Sequence, residues 1–104
     1  MEALLMISTA GSEEEAQGIA RKLVEDRLAA CVNVIPGIKS FFDWEGKLCR
    51  EKEALILVKT VNNKSKEIIN RIKKMHSYEV PEIIFLKVDE GERNYLKWLK
   101  KTVK

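Results

Sequence analysis

Two hydrophobic rhythms alternate along this chain. Leu4 to Thr9 is a short, mostly apolar run that reads as a first strand, and Ala10-Gly11 breaks it. Ser12-Glu13-Glu14-Glu15 then has the form of a capping box, with acidic residues in the first helical turn where the helix dipole favours them. Ala16, Ile19, Ala20, Leu23, Val24, Arg27 and Leu28 recur at helical spacing, which predicts a helix from about Ser12 to Leu28.

The period of two that follows is unusually long. Val32 to Ile35 and Ile38 to Trp44 read as one strand, and Leu48 to Thr60 as its partner. Between them, Trp44-Glu45-Gly46-Lys47 has the form of a two-residue turn, with glycine at the second central position where a positive φ is needed. Each arm holds about 13 residues, roughly 43 Å at ~3.3 Å per residue, so much of the hairpin must overhang its own sheet. Pro36-Gly37 interrupts the first arm, and proline cannot donate to a ladder, so a bulge or bend is expected there. The overhang carries Phe41, Phe42 and Trp44, which one small domain has little surface to cover. Self-association follows as an expectation.

Beyond Thr60, Asn62 or Asn63 is placed to cap a second helix with an apolar stripe of Ile68, Ile69, Ile72 and Met75, ending before Pro81. Ile83 to Val88 reads as the last core strand. Asp89-Glu90-Gly91 turns the chain into a short terminal helix carrying Tyr95, Leu96, Trp98 and Leu99, read as packing groups. The order is βαββαβ, the α+β ferredoxin-like arrangement of an antiparallel sheet with two helices on one face, extended by a long hairpin and a short C-terminal helix.

Composition narrows the function. A chain of 104 residues suits a single domain over residues 1–104 that folds without metal or disulfide staples. It is 45% apolar and 34% charged, with no apolar run near the ~20 residues of a membrane span, so no membrane partner is expected. Its start lacks the basic region and cleavage site of a secretory signal, which points to the cytoplasm. A net charge of +3 with interspersed signs is no nucleic-acid footprint, since phosphate binding needs clustered cations. Cys31 and Cys49 fall about ten residues apart along the hairpin, too far for a disulfide within one chain; Cys31 is read as a small core residue and Cys49 as a thiol opposite Phe42. Arg50-Glu51-Lys52-Glu53 reads as a solvated or intersubunit ion-pair face.

The fold hosts unrelated functions, so sites must decide. A copper chaperone needs a Cys-x-x-Cys pair after the first strand, where this chain has Ser8-Thr9-Ala10-Gly11-Ser12. An RNA-recognition sheet needs aromatics where this one offers Leu5, Ile7, Leu55 and Leu57. An acyl-phosphate hydrolase needs a basic cradle where Glu13-Glu14-Glu15 repels anions. No nucleophile–base pair is readable from spacing, so no enzyme is expected. His76 is the sole histidine and is most simply a structural residue. Its setting, Met75 to Glu82, nevertheless gathers a thioether, an imidazole and two carboxylates, the makings of a cation site.

Ala29-Ala30-Cys31-Val32-Asn33, Pro36, Ser40, Trp44-Glu45-Gly46, Glu53, Lys59-Thr60, His76, Tyr78, Pro81-Glu82-Ile83 and Tyr95-Leu96-Lys97-Trp98 together resemble the CutA divalent-cation-tolerance family, over nearly the whole chain from Leu4 to Leu99. The resemblance implies a ferredoxin-like homotrimer similar to the PII signalling proteins, with long hairpins embracing neighbouring subunits. It also implies tolerance of divalent metals, copper especially. Copper-binding relatives use a first-strand cysteine and a His-His pair; aligned on Thr9-Ala10 and Tyr78, those positions are Ser8, Met75 and His76 here. The expected metal residues are therefore His76, Met75 and Glu82. A cleft at the subunit boundary is expected to draw on Lys59, Tyr78, Glu82 and Trp44, with Asn33 nearby. The competing reading is a PII-like module binding a small anionic metabolite in that cleft.

Overall fold

The structure is a computed structural model and describes residues 1–103. Its elements run β1 (Ala3–Ala10), α1 (Glu13–Glu25), β2 (Cys31–Trp44), β3 (Lys47–Val61), a 3₁₀ turn (Asn62–Lys64), α2 (Ser65–Met75), β4 (Ile83–Lys87) and α3 (Arg93–Thr102). The four strands form one antiparallel sheet in the order β2-β3-β1-β4, the ferredoxin-like topology expected from the pattern. No helix among the described residues is long and apolar enough to cross a membrane.

Alternation along the strands sorts side chains between two faces. Met6 and Ala10 of β1 and Ala54, Ile56 and Val58 of β3 point into the main core, where they meet Ala16, Ile19 and Leu23 of α1 and Ile68 and Ile72 of α2. The other face is half-covered. At one end Leu99 and Val103 pack on Ala3, Ala30 and Val61, so α3 lies across the face opposite α1 and α2. Beyond it the register aligns Leu86, Leu5 and Lys59, then Ile84, Ile7 and Leu57, then Leu55 and Ile35, leaving an aliphatic surface with Ile35, Ile84 and Leu86 about half exposed.

The hairpin is as long as its pattern predicts, 14 and 15 residues per arm in a molecule 44 Å in its longest dimension. Register slips by one residue between Ile35 and Ile38, and Gly37 there has φ 73°, the bulge expected at Pro36-Gly37. At the tip both Glu45 (φ 52°) and Gly46 (φ 80°) are left-handed, so the turn is type I′, whose twist matches that of the strands. The Asp43 carboxylate accepts the Gly46 N–H at 3.0 Å. Phe41, Trp44 and Leu48 are well exposed on this arm.

Four details differ from the sequence reading. α1 stops at Glu25 because Arg27 turns left-handed at φ 58°, and the N–H groups of Arg27 and Leu28 return to the carbonyls of Val24 and Leu23 in a Schellman pattern. Leu28 is buried even so, and Val24 is exposed. The capping box is half made: the Ser12 hydroxyl accepts the Glu15 N–H, whereas the Glu15 carboxylate reaches Ser77. Neither Asn62 nor Asn63 caps α2; the Asn62 side chain accepts the N–H of Glu2, and the helix starts after the 3₁₀ turn. Cys31, expected in the core, is only partly buried, on the sheet face away from α1 and α2 and opposite Lys59.

Candidate functional site

The expected site residues gather at the end of the sheet where β1 stops. Ala10 pairs with Ala54, so Glu53 on β3 has no β1 neighbour, and Tyr78 takes that place. The Tyr78 hydroxyl donates to the Glu53 carboxylate at 2.6 Å, and Glu53 is 7% exposed. Gly11 eases this approach: a Cβ there would come within 3.3 Å of the Tyr78 hydroxyl, and the ring would have to yield by a few tenths of an ångström. Burial first, then the hydrogen bond and charge of Glu53 and the charges of Glu15 and Glu51, hold the Tyr78 phenol well above its usual range.

His76 supports this arrangement from behind. It is the C-cap of α2 and its ring is fully buried. Nε2 donates to the Thr9 carbonyl at 2.7 Å, and Nδ1 accepts the Tyr78 N–H at 3.0 Å. A carbonyl only accepts and an amide N–H only donates, so the ring is the neutral Nε2–H tautomer with both nitrogens engaged. The ring also stacks at a tilt on Tyr78, with centroids 4.8 Å apart. Glu15 accepts the Ser77 N–H at 2.7 Å and its hydroxyl at 3.0 Å, which fixes the start of the segment leading to Glu82. Met75 is partly buried against the main core.

Between this segment and the overhanging hairpin lies a cleft of about 1040 Å³. One wall is Tyr78, Glu79, Val80 and Glu82, and the other is the ribbon of β2 and β3. The register places Ile38 opposite Glu53, Ser40 opposite Glu51, Phe42 opposite Cys49 and Trp44 opposite Lys47, so these pairs share one side of the ribbon. Lys39, Lys52 and Arg50 take the other side. The stretch Arg50 to Glu53 is therefore not one mixed ion-pair face: its carboxylates turn to the cleft and its bases away. Asp43, Glu51, Glu53, Glu79 and Glu82 line the cleft, with no lysine, arginine or histidine among the described residues of its walls.

Of the expected cleft residues, Trp44, Tyr78 and Glu82 come together here. Lys59 and Asn33 do not. Their side chains bond each other on the far part of the outer sheet face, with the Cys31 thiol 3.9 Å from each. Lys59 is six residues along β3 from Glu53, roughly 20 Å, so these two groups can share a cleft only across a subunit boundary. Among the described residues no three His, Cys, Asp or Glu side chains converge as a metal-ligand set.

Glu51, Glu53 and Thr9 of the cleft were not singled out from sequence as cleft residues, although strict alternation in β3 already separates Glu51 and Glu53 from Arg50 and Lys52. Nothing local announces Glu15 as a partner of Ser77, 62 positions away.

Residues 4–102 match the family model described as CutA1 divalent ion tolerance protein. The chain is 47% identical over 100 residues to the divalent-cation tolerance protein CutA of Thermus thermophilus, covering 96% of each. It is 46% identical over 95 residues to the protein of that name from Archaeoglobus fulgidus, covering 91% of this chain and 92% of the relative. Its fold is similar to the crystal structure of CutA1 from Oryza sativa, with a TM-score of 0.97 at 34% identity, covering 100% of this chain and 95% of that one.

Proposed function

This chain belongs to the CutA family of divalent-cation tolerance proteins, and from that premise we propose that it acts in the cytoplasm as a homotrimer that gathers divalent cations without catalysing a reaction. The observation that carries the cation reading is the cleft beside Tyr78, lined among the described residues by five acidic side chains and no basic one. Glu82 is the member of the expected ligand set that faces it. The carboxylates are dispersed, so an ion is held by one or two of them with water completing its shell, or by carboxylates shared across a subunit boundary. Among first-row divalent ions such oxygen donors favour Cu²⁺ by the Irving–Williams order.

Soft capture at Ser8, Met75 and His76 fits these residues poorly. The Ser8 hydroxyl is buried without a hydrogen-bond partner among the described residues and is no thiolate, Met75 packs on the core, and both His76 nitrogens are engaged. An anionic metabolite is likewise disfavoured in the chain's own cleft, which meets it with carboxylates; Lys59 would have to arrive from a neighbour.

Calorimetric titration of the reduced protein with Cu²⁺ tests the reading. Glu79→Gln with Glu82→Gln is expected to weaken binding roughly tenfold, the loss of two charged partners near a surface. His76→Ala is expected to lower stability and leave stoichiometry unchanged. An isotherm untouched by the carboxylate changes but abolished in His76→Ala would move the ion to the imidazole.

A further inference from the structure

The stretch 76–82 between α2 and β4 carries Glu79 and Glu82 without belonging to any helix or strand. Once the His76 N–H has closed α2 on the Ile72 carbonyl, each remaining hydrogen bond of this stretch among the described residues involves a side chain. Side-chain clasps, not a ladder, set its course.

Glu15 is the clasp that comes from α1. Its place in the first helical turn suits it to the reciprocal half of a capping box, yet it leaves that bond unmade. Both its carboxylate oxygens go to Ser77 instead, Oε2 accepting the N–H at 2.7 Å and Oε1 the hydroxyl at 3.0 Å. Hydrogen bonds to an ionised acceptor are roughly twice as strong as neutral ones. The helix behind this carboxylate is fixed, since Ala16, Ile19 and Leu23 are buried against the sheet. Glu15 is not itself a wall of the cleft. What it holds is the approach to Glu79, next but one after Ser77. Apparent affinity falls with the fraction of time a binding geometry is populated, so a carboxylate on a clasped segment binds a cation more tightly than one on a wandering segment.

We propose that Glu15 is a positioning residue for the cation cleft: through Ser77 it holds Glu79 and Glu82 where an ion can use them, without touching the ion. This deepens the cation reading of the site and rests on it.

The test is Cu²⁺ calorimetry on the intact protein carrying Glu15→Gln, Ser77→Ala or both, with amide hydrogen exchange followed over residues 77–82. Glu15→Gln turns one acceptor into a donor, whereas Ser77→Ala removes one bond and leaves the charge of Glu15 in place. Binding is expected to weaken about fourfold in Glu15→Gln and about twofold in Ser77→Ala, as a geometry populated a quarter or half of the time would give. Exchange should quicken at Tyr78 and Glu79 and stay unaltered in β1 and β3. The double variant should bind no worse than Glu15→Gln alone, because both changes open one clasp. Ser77→Thr keeps both donors and should bind as the unaltered protein does; with Ser77→Ala it carries the comparison if Glu15→Gln fails to fold. Weakening by Glu15→Gln that Ser77→Ala does not share would make Glu15 a distant charge and overturn the positioning role, as would unchanged exchange over residues 77–82 or losses that multiply in the double variant. Those results leave the cation reading standing. Absence of Cu²⁺ binding in the unaltered protein would overturn both.

Discussion

At the scale of single residues, Tyr78 is the most consequential side chain. It caps the buried end of β3, receives the His76 ring and closes one wall of the cleft. Tyr78→Phe leaves the Glu53 carboxylate buried without its donor, and a hydrogen bond to a charged group is worth about 2 kcal/mol. Denaturant unfolding of the variant should show a loss of that order at neutral pH. The phenol also sets an alkaline limit. Its proton is held more tightly in the folded state than in the unfolded chain, where the ordinary value is 10.0. Stability from this source is therefore complete below pH 10 and declines above it, because the unfolded state ionises first and binds fewer protons. The decline between neutral pH and about pH 11 should be shallower in Tyr78→Phe; the Tyr95 phenol, raised chiefly by burial, supplies the remainder. Ser8 is the opposite case, a buried hydroxyl with no partner among the described residues, and nothing in the structure explains it.

At the scale of elements, the chain shows why some boundaries can be read and others cannot. The hairpin was legible because its alternation, its Pro36-Gly37 break and its Glu45-Gly46 turn act within a few residues of themselves. The end of α1 was not. Helix termination there depends on Arg27 adopting a left-handed conformation that side chains other than glycine resist, so no glycine marks the stop. That conformation costs roughly 1–2 kcal/mol for an L-residue, partly offset by the chain entropy that glycine would add. Arg27→Gly should accordingly raise stability by about 0.5–1 kcal/mol in urea titration. The candidate site was half legible. Trp44, Tyr78 and Glu82 meet because strand parity and a nearby loop bring them together, whereas Lys59 and Asn33 belong to the other end of the same strands. Asn62 misled for a similar reason: its side chain serves a residue 60 positions earlier.

At the scale of the whole molecule, the face opposite α1 and α2 decides the assembly. Leu5, Ile7, Leu55 and Leu57 lie at its centre, flanked by Ile35, Ile84 and Leu86, and α3 covers only one end. A contiguous aliphatic surface of this kind on a small domain marks a partner, and in the proposed homotrimer the partner is the same chain. Leu57→Lys places a charge in the middle of that surface. Sedimentation velocity should then report trimers for the unaltered protein and monomers for the variant, with the helical content of the monomer retained because Leu57 takes no part in the core beneath α1 and α2.

The doubled residue in β2 sets the aim of the whole arm. Pro36 and Gly37 together stand opposite Ala54, so odd-numbered positions look outward up to Ile35 and even-numbered ones from Ile38 onward. The ribbon is a ruler with one mark repeated. Had the count run on without that repeat, Phe41 and Asp43 would stand where Phe42 and Trp44 now do, and the rings would be turned to the side of Lys52 and Arg50. One supernumerary position, rather than the make-up of the tip, chooses whether Phe42 and Trp44 share a side with Glu51 and Glu53 or with Arg50 and Lys52.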